Sequence, residues 1–137
     1  MERHITVVVL ASIFMLITLL YGKYGQENYV MKVNNPEYLE EALTMADSLS
    51  DNKEINLHQA ELIICGEAVK SLFDNADTMK LLEDINSDQV QLTLCKGSIE
   101  KHKINLEDFS FPVNVIHDSK KRYKKLQHVG YQEIEFL

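Results

Sequence analysis

Two short apolar runs constrain this chain more than any other feature. They are "AELIICG" (residues 60–66) and "VQLTLC" (residues 90–95), and each gives way at once to a helical pattern. The first is too short for a buried helix and lacks an apolar–polar alternation, so it reads as a strand covered on both faces. "NYVMKV" (28–33), "PVNVIH" (112–117) and "YQEIEF" (131–136) add three more strand patterns. "PVNVIH" begins at proline, where a missing N–H does little harm.

Helical patterns fill the intervals. Asn35 is a suitable N-cap, with Pro36 at the first helical position. Leu39, Ala42, Leu43, Ala46 and Leu49 then form an apolar stripe. "SDNKEINLHQ" reads as a polar break. "EAVKSLF" gives one or two helical turns, and "NADTMKLLEDINSD" aligns Met79, Leu82 and Ile85. "KGSIEKHKI" is helical and "NLEDFSF" a loop. "SKKRYKKLQHVG" is a helix capped by Ser119, with Tyr123, Leu126 and Val129 on one face and Gly130 as its stop. Strands separated by helices imply right-handed parallel crossovers. The expected fold is a three-layer α/β/α domain with a mainly parallel sheet of about five strands.

The first residues carry a different signal. "ITVVVLASIFMLITLL" (residues 5–20) has no charge, with Arg3 before it and Lys23 after it. As a helix the run spans about 24 Å, short of the roughly 30 Å of a hydrocarbon layer. It is long enough for an export signal, although "YGKYGQ" offers a poor cleavage site. The expected division is a signal peptide or membrane anchor with its linker over residues 1–27, forming a hydrophobic helix, and an α/β domain over 28–137. The domain then lies outside the cytoplasmic membrane, anchored or secreted. A net charge of −7 argues against a nucleic-acid partner. The basic cluster "KKRYKK" reads as a solvated helix face.

Cys65 and Cys95 hold equivalent positions, each closing a strand ahead of a helix. Ligands gather at such carboxyl ends of parallel sheets, and a nearby helix start raises the thiolate fraction of a cysteine. Lys96 adds a cation beside Cys95. Each cysteine can equally be a small core residue, and Cys65 ends the more apolar run. A disulfide is open to them if their strands are neighbours in register. Gly66 and His117 are further candidates for the same rim. The sequence has no C-x-x-C, no H-E-x-x-H and no phosphate-binding glycine motif.

In these segments the chain resembles the DsrE/DsrF-like sulfur-relay family. "MKVNNPEYLEEALTMADSL" is similar to that family's first strand and helix, and "ELIICGEAVKSLF" to its second strand. "VQLTLCKGSIEKHKI" is similar to its third strand with the cysteine. "VNVIHDSKKRYKKLQHVGYQEI" resembles its closing strand, helix and strand. The resemblance runs in order from about residue 28 to 136. It implies a DsrEFH-like fold, a homotrimer or hexamer, and a persulfide-accepting cysteine at Cys95 that exchanges sulfur with a donor or acceptor protein. Relay members are cytoplasmic, whereas this chain carries the apolar N-terminal run. Such transfer passes through a covalent intermediate and needs no metal or organic cofactor. Two other functions are open: a non-catalytic oligomeric binding or assembly module held at the membrane with structural cysteines, and a thiol–disulfide role for Cys65 with Cys95.

Overall fold

The structure, a computed structural model, describes residues 9–13, 26–107 and 109–136. Five strands form one all-parallel sheet: β1 (Glu27–Val33), β2 (Leu57–Ile64), β3 (Val90–Cys95), β4 (Val113–Ile116) and β5 (Gln132–Ile134). Their order across the sheet is β4-β3-β2-β1-β5. The chain therefore steps outward from β1 to β4 and returns to pair β5 with the free side of β1. The helices are α1 (Leu39–Asp51), α2 (Glu67–Asp74), α3 (Ala76–Glu83), α4 (Lys96–Lys101) and α5 (Ser119–His128).

Strand alternation divides the side chains between two cores. Met31 and Val33 of β1, Ala60, Leu62 and Ile64 of β2, and Val90, Leu92 and Leu94 of β3 point to one face. There they meet the expected stripe of α1 and Ala68, Val69, Leu72, Leu82 and Ile85 from α2, α3 and the turn after it. Each fully buried Val, Leu, Ile or Met among them contributes roughly 1.5–3 kcal/mol through burial. The opposite face is thinner. Val30, Ile63 and Cys65 pack there against Leu126 and Tyr123 of α5. The sheet is thus flanked by helices on both faces, as the alternation of periods requires.

Several local expectations shift. Asn35 does cap, its side chain accepting from the Glu37 N–H, but the first turn at Pro36–Tyr38 is a 3-10 turn ahead of α1. β2 starts at Leu57, inside the expected polar break. His58 is exposed and Gln59 half-buried, so the amino end of this strand alternates and shows no apolar run. α5 is capped by Asp118, whose carboxylate accepts from the Lys121 N–H at 3.1 Å, and Ser119 is its first residue. Val129 lies beyond the last turn and is 62% exposed, so it leaves the apolar face. Gly130 stops the helix with φ +104°.

Of the expected N-terminal apolar helix, residues 9–13 are described, as an exposed helical stretch. The rest lies outside the described residues. Among the described residues no helix is long and apolar enough to cross a membrane.

Candidate functional site at the carboxyl ends of the central strands

β2 and β3 pair in parallel through Ile64 and Leu94, which sets the next residues, Cys65 and Cys95, side by side. Their Cα atoms are 5.1 Å apart and the two are joined by a disulfide. That separation falls inside the range of ~4.4–6.8 Å that a disulfide spans. Both side chains turn to the thinner face of the sheet, packed with Val30, Ile63 and Leu126. Cys65 is 7% exposed, whereas Cys95 is half-buried. Neither cysteine is a free thiol in this state.

The turn after Cys65 is built tightly. Gly66 adopts φ +62° and ψ −145°, a conformation open to glycine. A Cβ there would meet the Asn34 carbonyl oxygen at 3.4 Å. The Cys65 N–H donates to the Val33 carbonyl at 3.0 Å and the Ala68 N–H to that of Asn34 at 3.3 Å. The Gly66 N–H donates to Ser98 Oγ at 2.7 Å. These bonds tie the ends of β1, β2 and the start of α4 into one rim.

The remaining candidates divide. Lys96 is exposed and its Nζ reaches Glu100, one turn along α4, at 3.9 Å. His117 follows β4 at the same end of the sheet, since Cys95 pairs with Ile116, and it is exposed. Three neighbours stand beside these candidates that the sequence did not place here. Ser98 is the first, and its position one turn after Cys95 was legible. The second and third are Glu67 and His102. Glu67 Oε1 lies 3.5 Å from Lys101 Nζ and 3.7 Å from His102 Nε2. His102 is 10% exposed at its side chain, and its Nε2 has no hydrogen-bond partner. Nothing local in "EKHKI" marks that histidine as buried; the packing of α4 on α2 makes it so.

A second polar group sits under α5. Arg122 donates to both carboxylate oxygens of Glu61, at 2.9 and 2.6 Å. Glu61 is 1% exposed on a central strand, a position where a carboxylate persists only when paired and bonded. The hydrogen bond to Glu61 raises the Arg122 pKa further above its ordinary value. Burial raises the Tyr131 phenol beside this pair, and the Glu61 charge adds to it.

A cavity of about 210 Å³, lined by Met79, Leu82, Ile85, Phe109, Phe111 and Pro112 among others, opens elsewhere. Those residues precede β3 and β4, so the cavity lies at the amino end of the sheet, away from the cysteines. Glu83, Ser87 and Ser110 are the polar side chains of its lining. Among the described residues no three His, Cys, Asp or Glu side chains converge as a metal site.

No family model matches the chain, and no curated protein does. Solved structures that share its fold include two proteins of unknown function. One is a conserved protein of unknown function from Bacteroides thetaiotaomicron, with a TM-score of 0.62 and 10% identity over 80% of this chain and 95% of that one. The other is a protein of unknown function from Methanobacterium thermoautotrophicum, with a TM-score of 0.60 and 12% identity over 80% of this chain and 96% of that one. At these identities the likeness concerns the fold alone.

Proposed function

We propose that this is a DsrE-like protein, with a DsrEFH-like fold, that handles sulfane sulfur at Cys95 and uses Cys65 as the resolving partner. The supporting observation is the in-register pair itself. Two cysteines close adjacent central strands at the carboxyl rim, joined to each other and unequal in exposure. A disulfide accords with an extracytoplasmic compartment, where such bonds persist. It is one state of the proposed cycle.

The chemistry balances through that bond. Hydrosulfide attacks Sγ of Cys95, the half-buried partner. A new S–S bond forms, the Cys65–Cys95 bond breaks, and its electron pair leaves on Sγ of Cys65 as a thiolate. Cys95 is then a persulfide; the incoming sulfur has been oxidised and the bridge reduced. Helix starts follow both cysteines, α2 after Gly66 and α4 directly after Cys95, and favour a thiolate at either sulfur. The greater exposure of Cys95 is what directs attack to it. An acceptor thiolate takes the outer sulfur and leaves Cys95 as a thiolate. Exchange with a disulfide-bearing partner, itself reduced in the process, restores the bridge.

Separate replacement of the cysteines tests the roles. With a polysulfide donor, Cys65→Ser accumulates one added sulfur atom on Cys95 by mass spectrometry. Cys95→Ser takes up none. Equal uptake by both variants, or by neither, contradicts the assignment.

A second reading has its own observation. Cys65 is buried, and the bridge closes a sequence separation of 30 residues. In the chain-entropy picture such a loop stabilises by about 3–4 kcal/mol. The pair is then a staple in a non-catalytic assembly module. A homo-oligomer, trimer or hexamer, and attachment through the apolar N-terminal run belong to both readings.

A further inference from the structure

The basic cluster of the sequence becomes a stripe once α5 is set on the sheet. Arg122, Tyr123 and Leu126 turn inward, to Glu61 and to the thinner core. At ~100° per residue, Lys120, Lys121, Lys124 and Lys125 then face the opposite side of the helix. All four are exposed. Among the described residues none of them has a carboxylate within ion-pair distance. Of the carboxylates nearby, Asp118 caps α5 and the exposed Glu135 is hydrogen-bonded with Glu133. Glu61 is held by Arg122, and Glu133 by Gln127 and Tyr123.

This stripe stands out against the rest of the molecule. The net charge is −7, and α1, on the far side of the sheet, presents Glu40 and Glu41 to solvent. The domain is thus polarised across its sheet, basic over α5 and acidic over α1. Such a dipole orients a body at a charged surface without strong attraction overall. Chain direction points to the surface concerned. α5 runs back to the end of the sheet at which β5 and β1 begin, because Gln132 pairs with Tyr29. The first strand therefore begins at the end where α5 finishes, and the apolar run 5–20 precedes it in the sequence.

We propose that the lysine stripe of α5 is the face this domain lays on an anionic lipid surface. Each lysine near such a surface strengthens binding about fivefold. The contact needs no pocket and leaves α1 turned away from the lipid. It is independent of any reaction at the cysteines.

Residue-resolved lysine acylation of the full chain tests this. The chain is mixed with vesicles of phosphatidylcholine alone or with added phosphatidylglycerol. Labelling at Lys120, Lys121, Lys124 and Lys125 should slow about fivefold or more with the anionic lipid. It should recover in concentrated salt, which shortens the Debye length. Lys70 and Lys80, exposed on α2 and α3 across the sheet, serve as references and should not change. Unchanged labelling of the stripe, or equal slowing at Lys70 and Lys80, overturns the proposal. So does protection that rises with protein concentration without lipid, which would give the stripe to a second copy's acidic face.

Discussion

At the scale of single residues, two positions carry more than their neighbours. Glu61 and Arg122 form a bidentate pair with one partner fully buried. Removing either partner strands a charge, so Arg122→Met or Glu61→Gln should each cost about 3 kcal/mol in denaturant unfolding. The double change should cost less than the sum of the two, because no charge then remains unpaired. Gly66 is the other. Its φ of +62° with ψ −145° excludes a side chain in comfort, and its N–H holds Ser98. Gly66→Ala should lose on the order of 1–3 kcal/mol of stability and loosen the rim beside Cys65, read as faster alkylation once the bridge is reduced. The sequence displayed Gly66 and both cysteines plainly. It hid the Glu61–Arg122 pair, since a glutamate inside "AELIICG" joins an arginine 61 positions away only after α5 has crossed the sheet.

At the scale of elements, the packing of α5 against β5 adds to the response to alkali that the Tyr131 phenol shares. Burial raises the Tyr123 phenol, and its hydrogen bond to Glu133 raises it further. That bond in turn holds the Glu133 carboxyl below its usual range. A phenol raised in the folded state keeps its proton where the unfolded chain, with tyrosine near pH 10, has begun to lose it. The contribution of this phenol is therefore full below about pH 10 and falls as the pH climbs above it. Thermal unfolding of the native chain should steepen its decline above that pH, and Tyr123→Phe should flatten it. If the two chains decline in parallel, the phenol is not the group responsible. Strand and helix periods were legible because side-chain alternation and the α1 stripe are local. The start of β2 was not, since His58 and Gln59 lie where one face of the sheet is wet. The end of the α5 stripe failed at Val129 for a related reason: helical spacing continues in sequence past the last turn, but the helix does not.

At the scale of the whole molecule, topology decides what the cysteines can do. An all-parallel sheet puts every strand's carboxyl end on one rim, so residues 30 positions apart meet without any local motif. The switch in strand order lies between β1 and β5, one strand away from Cys65, so the crevice usual for such sheets and the sulfur pair are offset. The sequence offered neighbouring strands in register as a condition for the bridge, and the β2–β3 pairing meets it. His102 beside Glu67 came only from the packing of α4 on α2. The central claim is that this bridge is an exchangeable pair with Cys95 as the sulfur that accepts. Its most direct test is peptide mapping of the native chain by mass spectrometry after treatment with hydrosulfide under non-reducing conditions. The account predicts one additional sulfur on the peptide holding Cys95 and a free thiol at Cys65. An intact bridge after treatment, or the additional sulfur on Cys65, would contradict it.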